Sequence, residues 1–307
     1  MPWWRNRKTA DGQANGAGES KARWAPFGRG ERDDGEGGSF ALPRDSKADQ
    51  LLDFQHFFLK RLLGRNHQAP LRNPARILDV GCGTGRWAVE MAAAFPRAQV
   101  VGFDLVAPVD AGPLLATLGP RARSVSFVQG DLLTGLPFPD GSFDYVHLRL
   151  LYSDLPADRW PEVVRELARV TQPGGWVECV EPAEAIRDPS PAYDATSHWI
   201  AEMCRRRGLD PNVGPRLKSL LVGAGLVQVS ERTATLAANA TSGHERRLLL
   251  TQVLGVLEVL REPILETGVV SAADYQRALP MVKREYEQGD HANADVLHIV
   301  YGQRLPM

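Results

Sequence analysis

The chain predicts an α/β fold, a doubly wound, mostly parallel seven-stranded sheet with an antiparallel C-terminal edge hairpin and an inserted helical cap. Three observations carry this expectation. Short apolar runs alternate with helical segments between residues 76 and 180, and that alternation builds parallel sheets covered by helices on both faces. The first run meets the glycine cluster Gly81-Cys82-Gly83-Thr84-Gly85, where a strand can turn directly into a helix because no Cβ obstructs it. Two further strand patterns, near 226–233 and 295–302, enclose a helical stretch near 235–290.

The elements follow in chain order. Residues 1–38 are rich in glycine and mixed charge and bury too little apolar surface to offset the entropy of ordering, so a disordered tail is expected. Trp3, Trp4 and Trp24 within it receive no role. An N-terminal helical segment, 39–70, comes next, with Leu51, Leu52, Phe54, Phe57, Phe58, Leu59, Leu62 and Leu63 at helical spacing over 49–63 and Gly64 as its stop. The sheet domain is expected over 71–307. Its strands are read at 76–80, 99–103, 124–128, 143–147 and 176–180, with a helix over 86–95 and another from Pro156 to Val170 that stops before a Pro173-Gly174-Gly175 turn. Helices near 191–207, 213–223, 243–261 and 271–288 complete the chain, the last two inserted between the edge strands.

Composition narrows the function classes. With 307 residues and 43% hydrophobic content the chain buries a sizeable core. Its 36 basic residues nearly balance 37 acidic ones, so no global field draws it to nucleic acid or to an anionic membrane, and no nucleic-acid partner is expected. Cys82, Cys179 and Cys204 lie far apart, which disfavours a disulfide framework and a zinc site; no metal and a reducing cytoplasmic setting are expected. No stretch reaches the roughly 18 apolar residues of a spanning helix, so no membrane insertion is expected.

The chemistry concentrates at three strand ends. Leu78-Asp79-Val80-Gly81-Cys82-Gly83-Thr84-Gly85 places an acid directly before glycines at 81, 83 and 85. A dinucleotide fingerprint wants its third glycine at 86, which is Arg86 here. The pattern therefore favours S-adenosylmethionine (SAM), whose ammonium Asp79 is placed to accept, over a nicotinamide cofactor. Val100-Val101-Gly102-Phe103-Asp104 ends the second strand in a carboxylate suited to both ribose hydroxyls, with Leu105 under the adenine. Phe127-Val128-Gln129-Gly130-Asp131-Leu132 ends the third in an acid suited to the adenine amine. The expected cofactor residues are thus Asp79, Gly81, Cys82, Gly83, Gly85, Asp104, Leu105, Gly130, Asp131 and Leu132, together with His147 from the fourth strand.

With Leu136-Pro137-Phe138-Pro139-Asp140-Gly141-Ser142-Phe143-Asp144 and Leu167-Ala168-Arg169-Val170-Thr171-Gln172-Pro173-Gly174-Gly175, the core over 40–182 resembles the class I SAM-dependent methyltransferases, which implies a Rossmann-like fold and SAM as cofactor. Phe40-Ala41-Leu42-Pro43-Arg44-Asp45, Asp53-Phe54-Gln55-His56, Arg86-Trp87-Ala88 and Tyr145-Val146-His147-Leu148-Arg149 resemble the LaeA-like group, named for a fungal regulator of secondary metabolism. Cys82 stands where that group often carries threonine.

Proton-transfer candidates belong at the carboxyl ends of the fourth and fifth strands or in the helices over them. His147 and Tyr152 are the catalytic candidates; Arg149, Glu181, Tyr193, His198, His244 and His291 are also considered. Each has a structural alternative. His147 can serve the cofactor or a backbone group, Arg149 can anchor an anionic substrate or pair with an internal acid, and Arg205-Arg206-Arg207 fits a solvated helix end. The fourth strand lacks the Asn/Asp-Pro-Pro-aromatic loop of methylators of planar amino groups, and no cysteine follows a proline. A small-molecule substrate, methylated on N, O or C and belonging to specialised metabolism, is therefore expected, with a LaeA-like regulator acting on or through protein partners as the alternative. The apolar run from Leu248 to Leu260 fits a packing helix, a substrate wall or a homodimer contact.

Overall fold

The computed structural model describes residues 46–106, 108, 111–183, 190–237, 242–289 and 294–306. The expected disordered tail, the segment Phe40 to Asp45 and His291 lie outside these residues. Among the described residues the strands are β1 (Arg76–Val80), β2 (Gln99–Asp104), β3 (Val125–Gln129), β4 (Phe143–Arg149), β5 (Thr171–Ala183), β6 (Leu226–Ala237) and β7 (Ala294–Arg304). They form one sheet in the order β3-β2-β1-β4-β5-β7-β6. Strands β1 to β5 pair in parallel, and β7 lies antiparallel between β5 and β6. The chain reverses direction at β1, passing to β2 and β3 on one side and to β4 and β5 on the other, which opens a crevice at the carboxyl ends of β1 and β4.

The helices are α1 (Ser46–Leu63), α2 (Arg86–Ala94), α3 (Ala111–Ala116), α4 (Trp160–Val170), α5 (Pro191–Arg206), α6 (Leu217–Gly223), α7 (Gly243–Val259), α8 (Arg261–Glu266) and α9 (Ala272–Gln288). The helix expected over 243–261 ends at Val259, and a short helix that the pattern did not announce, α8, follows it. Pro263 supplies the reason, since its ring crowds the carbonyl four residues earlier, at Val259. At its other end α7 opens with a capping box, in which Ser242 and Glu245 exchange side-chain and backbone hydrogen bonds. The expected turn at Pro173-Gly174-Gly175 is a bulge inside β5, because the pairing with β4 jumps from Phe143↔Thr171 to Tyr145↔Trp176.

Burial follows the period of two that a covered parallel sheet demands. Leu78, Val101 and Val146 face one core with Trp160, Val164 and Leu167 of α4. Their chain neighbours Ile77, Val100 and Tyr145 face another, against Trp87, Ala88 and Met91 of α2. Asp79, His147 and Arg149 continue this second face beyond its apolar part, at the strand ends. A third cluster joins Val180 and Ile299 of the sheet to α1, α5, α7 and α9, so the inserted helices are fastened to the sheet and to α1.

Candidate cofactor site

The site begins at the loop between β1 and α2. Gly81, Gly83 and Gly85 have φ of 72°, 52° and 80°, a left-handed region that disfavours side chains. The Gly81 and Cys82 amides donate to the Phe103 carbonyl at 2.8 and 3.1 Å, which fastens the loop to the end of β2. Asp104 completes the fastening by accepting from the Gly83 amide at 2.9 Å and from the Val106 amide at 3.1 Å. Asp131 starts the turn after β3, accepting from the Leu133 amide at 2.9 Å. Both acids therefore hold defined orientations at adjoining strand ends.

Asp79 and His147 are paired across β1 and β4, and His147 Nδ1 lies 2.9 Å from Asp79 Oδ1. An ionised carboxylate only accepts, so Nδ1 carries the proton. The imidazole is clamped from its face by Trp87, with ring centroids 4.0 Å apart and planes 3° from parallel. Trp87 is itself anchored by donating to the Asn66 carbonyl at 2.8 Å. The result is a buried acid with a fixed direction.

These groups open on a cavity of about 670 Å³. Of the residues expected to hold the cofactor, all but Gly85 line it, and Tyr152 does as well. Gly85 serves packing instead, since a Cβ there would stand 2.5 Å from the Phe127 ring. The wall that the sequence signals did not assign comes from α1. Asp53 accepts from the Thr84 hydroxyl at 2.7 Å and pairs with Arg86, drawing α1 over the glycine loop. His56 lines the cavity beside it. Their motif, Asp53-Phe54-Gln55-His56, was visible in the sequence, but nothing in helical spacing tells which loop a helix will cover. Val256 and Leu260 add a wall from the inserted helices.

At the carboxyl end of β4 the cavity is walled by Arg149, Leu150, Leu151 and Tyr152. Leu150 has φ of 57°, which is strained for a bulky residue. Glu181, from β5, stands behind this turn and accepts from the Leu151 and Tyr152 amides at 2.8 and 3.2 Å. It is fully buried and does not line the cavity. The remaining candidates are dispersed. Tyr193 packs on Tyr286, His198 and His244 are exposed on α5 and α7, and Arg205, Arg206 and Arg207 bond to Glu202, the Thr267 carbonyl and Glu266.

Fold and site together define a nucleotide-type cofactor enzyme, with glycine-loop backbone and carboxylates at successive strand ends around one cavity. The family described as a methyltransferase domain matches residues 77–175. Methyltransferase str3 of Strobilurus tenacellus is 32% identical over 208 residues, covering 65% of this chain and 70% of that protein. Secondary metabolism regulator LAE1 of Cochliobolus heterostrophus is 29% identical over 239 residues, covering 73% of this chain and 74% of that protein. Among solved structures, phosphoethanolamine N-methyltransferase 2 of Haemonchus contortus, bound to phosphomonomethylethanolamine and S-adenosylhomocysteine, shares the fold with a TM-score of 0.50 and 19% identity; the alignment covers 84% of this chain and 53% of that one. The chain belongs to the class I SAM-dependent methyltransferases, and SAM is its cofactor. The donor set fits that molecule, since a buried carboxylate suits its ammonium and further carboxylates suit its hydroxyls and amine. Among the described residues no helix is long and apolar enough to cross a membrane.

Proposed function

We propose that the chain transfers the SAM methyl group to a nitrogen, oxygen or carbon of a small, partly apolar metabolite in specialised metabolism. The supporting observation is a single cavity of about 670 Å³ in which three strand-end carboxylates meet an apolar wall that includes Leu51, Leu52, Val256 and Leu260. Asp79 accepts from the cofactor's ammonium, Asp104 takes the ribose hydroxyls, and Asp131 takes the adenine amine. Leu105 and Leu132 flank the adenine, while Gly81, Cys82, Gly83 and Gly130 bring bare or compact chain against the ligand. His147 acts through Asp79 as a positioning residue, and Tyr152 is the cavity phenol proposed to touch the acceptor. Gly85 shapes the loop from behind.

Bound SAM supplies a methyl group on a sulfonium, an electrophile for which alignment contributes about 7–11 kcal/mol. The protein's part is to fix both partners and exclude water, which α1 and α7 do by covering the strand ends. One observation favours a second reading: the likeness to LAE1 spans most of both chains, which suits a regulator acting on or through protein partners.

Calorimetry and a labelled-methyl assay test both. SAM is expected to bind saturably, and Asp104→Ala to weaken it by about one to two orders of magnitude, the size of a charge-assisted hydrogen bond. Label from methyl-labelled SAM is expected in a small molecule when the protein is incubated with a fractionated metabolite extract. Label confined to protein favours the regulator, and no saturation at about millimolar SAM, well above ordinary cofactor affinities, overturns the site assignment.

A further inference from the structure

Arg149 is the last residue of β4 and pairs with Val180 of β5. It stands one residue beyond the last β1–β4 pair, Val80↔Leu148, on the face that also carries His147 and Asp79. It lines the cavity there with Leu150, Leu151, Val256 and Leu260. Burial pulls its pKa below the ordinary arginine value, against the opposing pull of Asp79, Tyr145, Glu178 and Glu90. Among the described residues no carboxylate comes within ion-pair distance of the guanidinium; its polar neighbour is His56 Nδ1, 3.2 Å away.

His56 explains how the cation is aimed. Arginine only donates, so His56 Nδ1 accepts and its proton sits on Nε2, which lies 3.2 Å from Glu90 Oε2. Glu90 is further held by Lys60 at 2.6 Å and Asn66 at 2.9 Å. The His56 contact holds one nitrogen of a planar fork that carries five donors. A half-buried cation without a close ion pair is costly, and a carboxylate answers it with two parallel charge-assisted bonds. Arg86, the other arginine on the cavity wall among the described residues, is already paired with Asp53, so the one available cation among those residues suits a monoanion rather than a phosphate dianion.

We propose that Arg149, oriented by His56, is the receptor for a carboxylate on the acceptor substrate, which makes that substrate an apolar molecule with a single acidic head. The proposal rests on the assignment of the cavity to SAM and a small acceptor. SAM carries a carboxylate of its own, and the test separates the two sources.

Hexanoate, 3-phenylpropanoate and indole-3-acetate, each beside its primary amide, are titrated into the protein saturated with S-adenosylhomocysteine. At least one acid is expected to bind about tenfold or more tightly than its amide, the size of a charge-assisted pair. Arg149→Met is expected to abolish that preference while leaving SAM affinity within about threefold, the ordinary scatter of a neutral change. Met removes the charge and the donors at similar length, and a melting curve matching the unmodified protein's confirms that the variant is folded. Arg149→Lys keeps the charge without the fork and is expected to retain only part of the preference. Acids and amides binding alike, no binding of either, or a preference that survives Arg149→Met overturns the proposal. So does a tenfold or greater loss of SAM affinity in Arg149→Met, which would assign the receptor to the cofactor. Failure of the unmodified protein to bind SAM would instead strike the cofactor assignment beneath it.

Discussion

At the scale of single residues, the strand-end acids differ in what their surroundings do to them. Glu181 accepts two backbone hydrogen bonds and has Arg149 nearby, both of which favour its charged form, yet burial dominates and lifts its pKa from 4.5 to about 8, with Asp154 adding to the rise. Between those values the folded chain holds a proton that the unfolded chain has released. Stability from this group is therefore full below the unfolded pKa and is lost as pH rises through the folded one. The melting temperature is expected to fall more steeply from about pH 5 to about pH 8 in the natural protein than in Glu181→Gln, which has no titrating group there. Parallel curves would remove Glu181 as the cause. The glycines and acids of the site were legible in the sequence because each sits at a strand end, where the local pattern sets its place. Glu181 was legible as a position but not as a support, since its partners, Leu151 and Tyr152, lie 29 to 30 residues away.

At the scale of elements, α1 carries the largest part of the site that periodicity left unassigned. Its apolar positions announced a packed helix, while its contacts are fixed by residues remote in sequence. Asp53 reaches Thr84 and Arg86, Lys47 pairs with Glu258 at 2.9 Å, and Leu51 fits where a Cβ on Gly255 would stand only 2.9 Å from it. A glycine inside α7 costs about 0.5–1 kcal/mol against alanine, and this close approach is what it permits. Asp53→Ala removes the tie between α1 and the glycine loop. Because Asp53 and Arg86 are each about a third exposed, the effect is screened, and SAM affinity is expected to fall about three- to tenfold, not a hundredfold. Proteolysis within 46–63 should quicken in the same variant; unchanged affinity and cleavage would show that the helix stays docked by its apolar face alone.

At the scale of the whole molecule, a mostly parallel, doubly wound sheet was implied by strand spacing, whereas the strand order and the place of β7 between β5 and β6 depend on pairings no single strand encodes. The sequence announced two inserted helices where the structure has three, and whether their apolar run faced a partner, a core or a ligand was not legible, because α7 is apolar on more than one side. Its residues divide among these uses: Leu249 joins the core under α9, Leu257 packs with α5 and α8, and Val256 reaches the cavity. One cavity thus touches β1, β2, β4, α1 and the inserted helices, and a ligand bound in it contacts both the rigid sheet and the cover. Binding that orders a cover slows its local opening, and hydrogen exchange reports that opening directly. Saturating S-adenosylhomocysteine, with or without an acceptor, is expected to slow amide exchange across 46–63 and 243–266. Exchange in α4, which packs on the opposite face, should be unchanged. If the two covering segments exchange at the same rate with and without ligand, they are a fixed wall and the cavity is entered without their movement.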